Sequence, residues 1–183
     1  MHKKLTFLII LCGVLVLNSC VQTPDYPVTP EIEFESVTKF NKLTVDGFGE
    51  QTKIDSLVMR IKFRDGDGDL GITDAELKSN PKYKDFKNFL VDTYLKKNGT
   101  WVQLNLSPAL GGLMNFKFKP NQKVGPIEGS IDYSAQFVYA FYKGYSPLFT
   151  PKNDTLKFKI QIIDNAFHQS NVVETTPIVI FQN

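Results

Sequence analysis

Three aspartates separated by glycines form the segment of this sequence whose spacing best fits chemistry. Asp65, Asp67 and Asp69 lie in the stretch FRDGDGDLG, residues 63–71, directly after a segment with strand periodicity. Carboxylate oxygens are the ligands that hard cations prefer, and glycine lets the backbone curl until they share one centre. The spacing is compatible with a calcium-binding loop. Asp-Gly repeats also make tight turns without a metal, so a metal-free turn is the interpretation that competes with it.

A second cluster of oxygen ligands follows another strong strand pattern. Asp164 and Asn165 come directly after Thr155–Ile163. If residues 54–64 and 155–163 are the second and sixth strands of an immunoglobulin-like sandwich, they run in the same direction and their following loops meet at one end. Asp164 and Asn165 would then complete an oxygen cage begun by the three aspartates. Alternatively, they form only the turn into the last strand.

The aspartate spacing resembles in part the calcium loop of EF-hand proteins. With Asp65 at position one, Asp67 falls at three, Asp69 at five and Glu76 at twelve, as in that loop. Gly71 falls at seven, however, where an EF-hand has its glycine at six, and the preceding segment has a strand pattern rather than a helical one. We therefore expect a calcium-type loop on a β scaffold.

The residues at the N-terminus predict export and lipidation. Lys3 and Lys4 precede an apolar run from Leu5 to Leu17, which is short for a bilayer span, and the run closes at Cys20. This segment resembles a bacterial lipoprotein signal, which implies cleavage of residues 1–19 and a membrane anchor on the acylated Cys20. An ordinary signal peptide or an N-terminal anchor helix is the alternative.

Prolines at three-residue intervals follow the predicted anchor. Pro24, Pro27 and Pro30 favour an extended chain, so residues 20–30 are interpreted as a tether between the lipid and the domain. Part of this tether adding an edge strand to the domain is an alternative. Residues 31–183 are predicted to form one domain with a single core.

The dominant period in that domain is two. About seven or eight strands are predicted, and Asn98-Gly99 marks a hairpin between two of them. Only residues 74–88 differ, with a short helix or a long loop interrupted by Pro81. The pattern predicts an all-β fold, an antiparallel immunoglobulin-like sandwich. Strands are expected at 32–40, 54–64, 89–96, 101–106, 114–118, 131–141, 155–163 and 178–181, with Phe63, Phe116, Phe137, Tyr139 and Phe158 facing inward and Arg60, Lys117 and Lys157 facing outward.

Composition excludes some classes of function. Loss of Lys3 and Lys4 with the signal leaves 19 of the 21 basic residues against 19 acidic ones, and this neutral balance argues against a nucleic-acid partner. Beyond residues 1–19 the sequence has one histidine, His168, and one cysteine, Cys20. Because no acid–base motif surrounds His168, we expect a protein that is not an enzyme; a hydrolase using paired aspartates or His168 is the less favoured alternative.

The whole pattern of signal, proline tether, DGDGDLG loop and a final IQIIDNAFHQSNVVETTPIVI segment resembles the lipid-anchored immunoglobulin-like proteins of the Bacteroidota. The resemblance implies an envelope lipoprotein, on the outer membrane, acting as a non-enzymatic binding or structural module with a protein or glycan partner. It implies no catalytic residue, and it leaves open which face of the membrane carries the domain. Trp101, Tyr94 and Tyr142 motivate the alternative of an accessory glycan-binding lipoprotein of an uptake system, because sugars stack on exposed aromatic rings.

Overall fold

The computed structural model shows a chain built mainly from β-strands. It describes residues 23–45, 49, 51–115, 117, 124–139 and 153–182. Nine strands lie within these ranges: β1 (Glu31–Val45), β2 (Gln51–Asp65), β3 (Phe89–Lys97), β4 (Thr100–Leu104), β5 (Gly111–Gly112), β6 (Ile127–Val138), β7 (Asp154–Ile162), β8 (Val173–Glu174) and β9 (Ile178–Ile180).

The strands form two antiparallel sheets. One sheet has the order β1-β2-β6, and the other has the order β4-β3-β7-β8, with β5 also pairing with β3 and β9 with β7. This order corresponds to strands A-B-E and C′-C-F-G of an immunoglobulin-like sandwich. The predicted all-β sandwich is confirmed.

Alternation along the strands places the core between the sheets. On β2, Leu57, Met59, Ile61 and Phe63 are buried, while Arg60 points outward, where its guanidinium binds the Asp132 carboxylate of β6 through two contacts of 2.6 Å. A period of two puts every second side chain on one face, so the apolar side chains at 57, 59, 61 and 63 share the inner face, on which Asp65 also lies. The inward positions predicted for β2 are therefore confirmed.

Aromatic side chains join the two layers of this core. Phe137 on β6 and Phe158 on β7 are both fully buried, and their ring centroids lie 6.1 Å apart across the sandwich. Tyr139 is partly buried and meets Phe181 edge to face, with ring centroids 5.3 Å apart. Phe116 lies outside the described residues. Close packing of such large side chains contributes much of a domain's stability.

The predicted hairpin and the predicted break in the strand pattern are both present. Asn98 and Gly99 adopt positive φ angles of 49° and 82° and join β3 to β4, as a two-residue turn requires. A short helix, α1 (Asp74–Ser79), has Thr73 as its N-cap, and a 3₁₀ turn follows at Pro81–Tyr83. Of the helical segments in the described ranges, none is long and apolar enough to cross a membrane.

The structure differs from the predicted strand at residues 114–118. Leu113, Met114, Asn115 and Lys117 have no strand assignment, and the other positions of that stretch lie outside the described residues. Met114 is buried in the core, and its backbone bonds to segments other than a sheet neighbour: its N–H donates to the Asn88 side chain and its carbonyl accepts from the N–H of Ile72. Lys117 is half-buried rather than fully outward and pairs with Glu76 at 2.6 Å. An alternating pattern of three apolar residues was too short to distinguish a strand from an ordered loop.

Candidate metal centre

Two strands from different sheets end at the same point of the sandwich. β2 ends at Asp65, β7 ends two residues before Asp164, and the loops after them converge. Asp65, Asp69 and Asp164 each offer a carboxylate oxygen, and these oxygens all lie within 4.8 Å of one another. β2 and β7 correspond to the second and sixth strands of the predicted sandwich. Because the two strands run in the same direction, as predicted, these residues lie at the same end.

Five oxygen atoms at this point are buried without a hydrogen-bond donor among the described residues. They are both carboxylate oxygens of Asp65 and one Oδ1 atom each from Asp67, Asp69 and Asn165. Buried side-chain oxygens in proteins nearly always have a partner, since an unpaired one retains its full desolvation penalty. Five such atoms in one cluster, on residues that include a fully buried carboxylate, are the arrangement expected of a cation site.

The amide of Asn165 is fixed so that its oxygen is free to act as a ligand. Its Nδ2 donates to the backbone carbonyl of Gly71 at 2.7 Å, which determines which end of the amide is nitrogen. The backbone carbonyl of Asn165 in turn accepts from the hydroxyl of Tyr83 and the ammonium of Lys82, each at 3.3 Å. The residue is therefore held from both sides, and Oδ1 is the side-chain atom left without a partner.

His168 binds the outer side of Asp164. Its backbone N–H donates to Asp164 Oδ1 at 2.8 Å, and its Nδ1 lies 2.8 Å from Asp164 Oδ2. The hydrogen bond and the charge of Asp164 raise the pKa of His168, whose ring is partly exposed. Each Asp164 oxygen retains a second lone pair, so the histidine orients this carboxylate without consuming its capacity to bind a cation.

Burial and like charge disfavour ionised carboxylates in the absence of a cation. Burial, followed by the charges of Asp67, Asp69 and Asp164, raises the pKa of Asp65 to about 7. The backbone N–H of Asp69 acts in the opposite direction and lowers this pKa, although it makes no hydrogen bond to the carboxylate. Burial and the charges of Asp164 and Asp67 raise the pKa of Asp69 to about 6, against the opposing amides of Asn165 and Ala166. A bound dication would remove both causes, because it replaces the lost solvation and neutralises the repulsion.

The glycines of the loop are required by close approaches of other backbone segments. A Cβ on Gly68 would lie 2.4 Å from the carbonyl of Gly125, and Gly68 also has a positive φ of 73°. A Cβ on Gly66 would lie 2.2 Å from the carbonyl of Tyr26 in the tether. Gly66 does not have a positive φ, so tight packing, rather than the curling expected from the sequence, is the reason for glycine there.

Aromatic residues that were not predicted to belong to the site support the loop after β7, residues 163–172. Phe167, which has a positive φ of 70°, packs against Phe86 and Tyr83 with ring centroids 5.0 and 5.9 Å away. These contacts hold residues 164–168 in the turn that presents Asp164 and Asn165. The signal was present in the loosely spaced aromatics of residues 83–89, but their partner in the distant loop could not be deduced from spacing.

The residues predicted as candidate metal ligands converge, whereas Glu76, which would occupy position twelve of an EF-hand loop, does not join them. Asp65, Asp67, Asp69 and Asp164 interact electrostatically around one point, and Asn165 Oδ1 is the fifth oxygen source. Glu76 is engaged elsewhere: its oxygens accept from Thr73 and from Lys117 in the capping box of α1. The loop is thus not an EF-hand: Glu76 does not join the cluster, whereas Asp164 and Asn165, which follow β7, do.

The aromatic residues considered for glycan binding are partly covered. Trp101 and Tyr94 lie on the strands β4 and β3, and the ammonium of Lys157 sits 4.7 Å from the Trp101 ring centroid and 5.7 Å from that of Tyr94. Lys157 also pairs with Glu174 at 2.8 Å. Tyr142 lies outside the described residues. A cation over a ring occupies the face on which a sugar would stack.

Comparison with protein families, with curated proteins and with solved structures found no match for this chain.

Proposed function

We propose that this protein is an envelope-anchored, non-enzymatic β-sandwich module that binds calcium where its two sheets meet. The observation that carries the proposal is the buried Asp65 carboxylate, which has no hydrogen-bond donor on either oxygen and faces Asp69 and Asp164. A buried charge without a partner is strongly destabilising, and a cation is the partner that this set of ligands fits. In this proposal the metal stabilises the fold and shapes the loops that meet a partner.

The chemistry of the ligands favours calcium over other cations. Every candidate donor is a carboxylate or amide oxygen, and the one nearby imidazole uses its Nδ1 to hold Asp164. Calcium takes six to eight oxygens at about 2.3–2.6 Å, so opposite ligands lie roughly 4.6–5.2 Å apart. Oxygens within 4.8 Å of one another fit that span. Magnesium requires a smaller octahedral shell and gives up its waters less readily.

Anchoring in the envelope is supported by the sequence before the domain. The lysines, the apolar run and Cys20 form a lipoprotein-type signal, and the tether leads from Cys20 to β1. A non-enzymatic role is supported by the use of the titratable groups: His168 orients Asp164, and the aspartates face one another around a common centre. Glycan binding, the alternative, has weaker support because Lys157 covers the rings of Trp101 and Tyr94.

Thermal unfolding with and without calcium tests the proposal. After chelator treatment, calcium at about 100 times its Kd should stabilise the protein by about 2.7 kcal/mol, or roughly 5–10 °C in Tm for a domain of this size. Magnesium at the same concentration should have a smaller effect. The double variant Asp67→Asn/Asp69→Asn should fold but lose the calcium response.

A matched double variant separates site binding from a general charge effect. Glu33→Gln/Asp92→Asn removes the same number of charges from exposed strand positions and should retain the full response. If the wild type shows no calcium-dependent shift, or if both double variants lose it equally, the calcium site is rejected and the DGDGD segment is a turn.

A further inference from the structure

The tether is docked on the segment DGDGD, residues 65–69, which is called the calcium loop below. The N–H of Gly66, the residue between Asp65 and Asp67, donates to the carbonyl of Pro27 at 2.8 Å. Next to it, the hydroxyl of Tyr26 donates to Glu128 at 2.7 Å, and the guanidinium of Arg64 lies 5.9 Å from the Tyr26 ring centroid. Two tether residues thus contact the loop, β2 and β6 at the end of the sandwich where the carboxylates converge.

The approach of the tether depends on the shape of the loop. The carbonyl of Tyr26 would lie 2.2 Å, and that of Pro27 2.8 Å, from a Cβ on Gly66, so the tether fits only against a glycine in this backbone position. On the other side of the loop, Gly125 donates to the carbonyl of Asp67 at 3.0 Å, and its own carbonyl would clash with a Cβ on Gly68. The loop is therefore clamped between the tether and the segment that leads into β6.

This clamp fixes the residues that would ligate the cation. Gly66 alternates with Asp65 and Asp67, so a change in the path of the loop that moves its N–H away from Pro27 also moves two of the candidate ligands. Without a cation the carboxylates repel one another and favour an opened loop; with a cation they favour the closed path that the tether fits. Binding at one place then favours binding at the other, and by thermodynamic linkage the effect is reciprocal.

We propose that calcium binding and tether docking are coupled, so that calcium in this site holds Tyr26 and Pro27 on the domain. The inference rests on the calcium function proposed above. Docking at Tyr26 and Pro27 leaves six residues, 20–25, to span the distance between the lipid and the domain, which is at most roughly 19 Å at about 3.1 Å per residue. Release of the tether makes eleven residues, 20–30, available, which span at most roughly 34 Å. Calcium would therefore set how far, and in what orientation, the domain stands from the lipid.

Calcium affinity of tether variants measures the coupling. The full chain, purified in detergent, is titrated with calcium by calorimetry. Gly66→Ala retains every ligand but prevents the tether from docking, and deletion of residues 22–27 removes the docked residues altogether. Both should raise the Kd for calcium by a similar factor, roughly 5- to 150-fold for a coupling of usual size. Circular dichroism checks that each variant is folded.

The combination of the two changes shows whether Gly66→Ala acts through the tether. In the chain that lacks residues 22–27, adding Gly66→Ala should have no further effect on the Kd, because the group that it displaces is absent. An equal loss in the deleted chain would mean that the methyl group disturbs the loop directly, and the coupling would be rejected. Wild-type affinity in both single variants would also reject it, while leaving the calcium site intact. No binding by the wild type would instead reject the proposed function.

Hydrogen exchange provides a second readout on the wild type. Chelation of calcium should speed exchange of the Gly66 amide, whose acceptor is Pro27. The Phe181 amide is an internal reference, since it donates to the Asp55 side chain at 2.6 Å, ten positions before Asp65 on β2. Equal exchange at Gly66 with and without calcium, under conditions in which calcium binds, would contradict the coupling.

Discussion

Asp65 is the last residue of β2, Asp164 lies two residues after β7 of the opposite sheet, and carboxylate oxygens of the two lie within 4.8 Å of each other. Both side chains are fully buried. A cation between them would link the two sheets of the sandwich, whereas two ionised carboxylates without a cation would push the sheets apart. Binding of a cation at this site should therefore change the free energy of unfolding of the whole domain. A measurement of that free energy reports whether a cation is bound.

Without calcium, the protein should lose stability as pH rises from about 4 to about 7. The pKa values of Asp65 and Asp69 are raised to about 7 and about 6, so the folded state binds more protons than the unfolded state across this window. The free energy of unfolding must then fall with rising pH. Urea denaturation at several pH values in chelator would measure it; the partially exposed His168 contributes in the same direction, because its raised pKa stabilises the fold at low pH and this contribution is lost as pH rises.

Calcium should reverse this dependence. Calcium binds ionised carboxylates, so its stabilising effect should be weak below about pH 6 and should increase towards pH 8 as Asp65 and Asp69 lose their protons. The same denaturation series in saturating calcium provides the comparison. A calcium effect that is equally large at pH 5 and pH 8 would be inconsistent with these two residues as ligands.

Asp65→Asn should stabilise the metal-free protein at pH 8 while weakening its calcium response. The asparagine has nearly the same shape but removes a buried charge that has no hydrogen-bond donor on either oxygen. Because one pKa unit corresponds to about 1.4 kcal/mol, the gain should be about 1 kcal/mol or more, and it should disappear at pH 4, where the aspartate is itself protonated. Destabilisation at pH 8 in chelator would show that the Asp65 charge is compensated by a group other than a cation.

The convergence of the candidate metal ligands could be predicted from sequence because two simple rules applied. A period of two identified β2 and β7, and the immunoglobulin-like order of strands put the ends of both at the same end of the sandwich. The ends of those two strands and the residues just after them carry the candidate ligands Asp65, Asp67, Asp69, Asp164 and Asn165. The positions of the strands were therefore sufficient to predict that these side chains lie close together. The same rules located the core positions Leu57 and Phe158.

Features that depend on contacts between distant segments could not be predicted. Gly66 is required by the carbonyl of Tyr26, forty positions earlier in the chain by residue number, and no local pattern indicates which backbone will approach a glycine. The bond between His168 and Asp164 needed the turn at Phe167, whose positive φ is unusual for a bulky side chain. The failed strand at Met114 has the same origin, since its backbone is used by Asn88 and Ile72 instead of a sheet neighbour.

Truncation of the aromatic pair between the sheets should be strongly destabilising. Phe137→Ala and Phe158→Ala each remove a fully buried ring and should lower the free energy of unfolding by about 3–5 kcal/mol. Their effects should not be additive, because the two rings contact each other at a centroid distance of 6.1 Å. Denaturant midpoints measure the loss, with the exposed Arg60→Ala as a control that should change little. A midpoint insensitive to both phenylalanine changes would contradict the packing of the sandwich.

Cys20→Ala should abolish the membrane anchor and leave the fold unchanged. Cys20 lies outside the described residues, and the role proposed for it rests on the apolar run and the lysines that precede it. If its sulfur is the acyl acceptor, the alanine variant has no thiol near the cleavage point to replace it and should accumulate as an uncleaved precursor or appear in the soluble fraction.

Ser19→Ala is the matched control: it keeps a small residue before the cysteine and should be processed and anchored as the wild type is. Fractionation of the envelope, with mass measurement of the protein, distinguishes the outcomes. A Cys20→Ala protein of mature size that still fractionates with the membrane would show that the domain is held there by contacts other than an acyl chain.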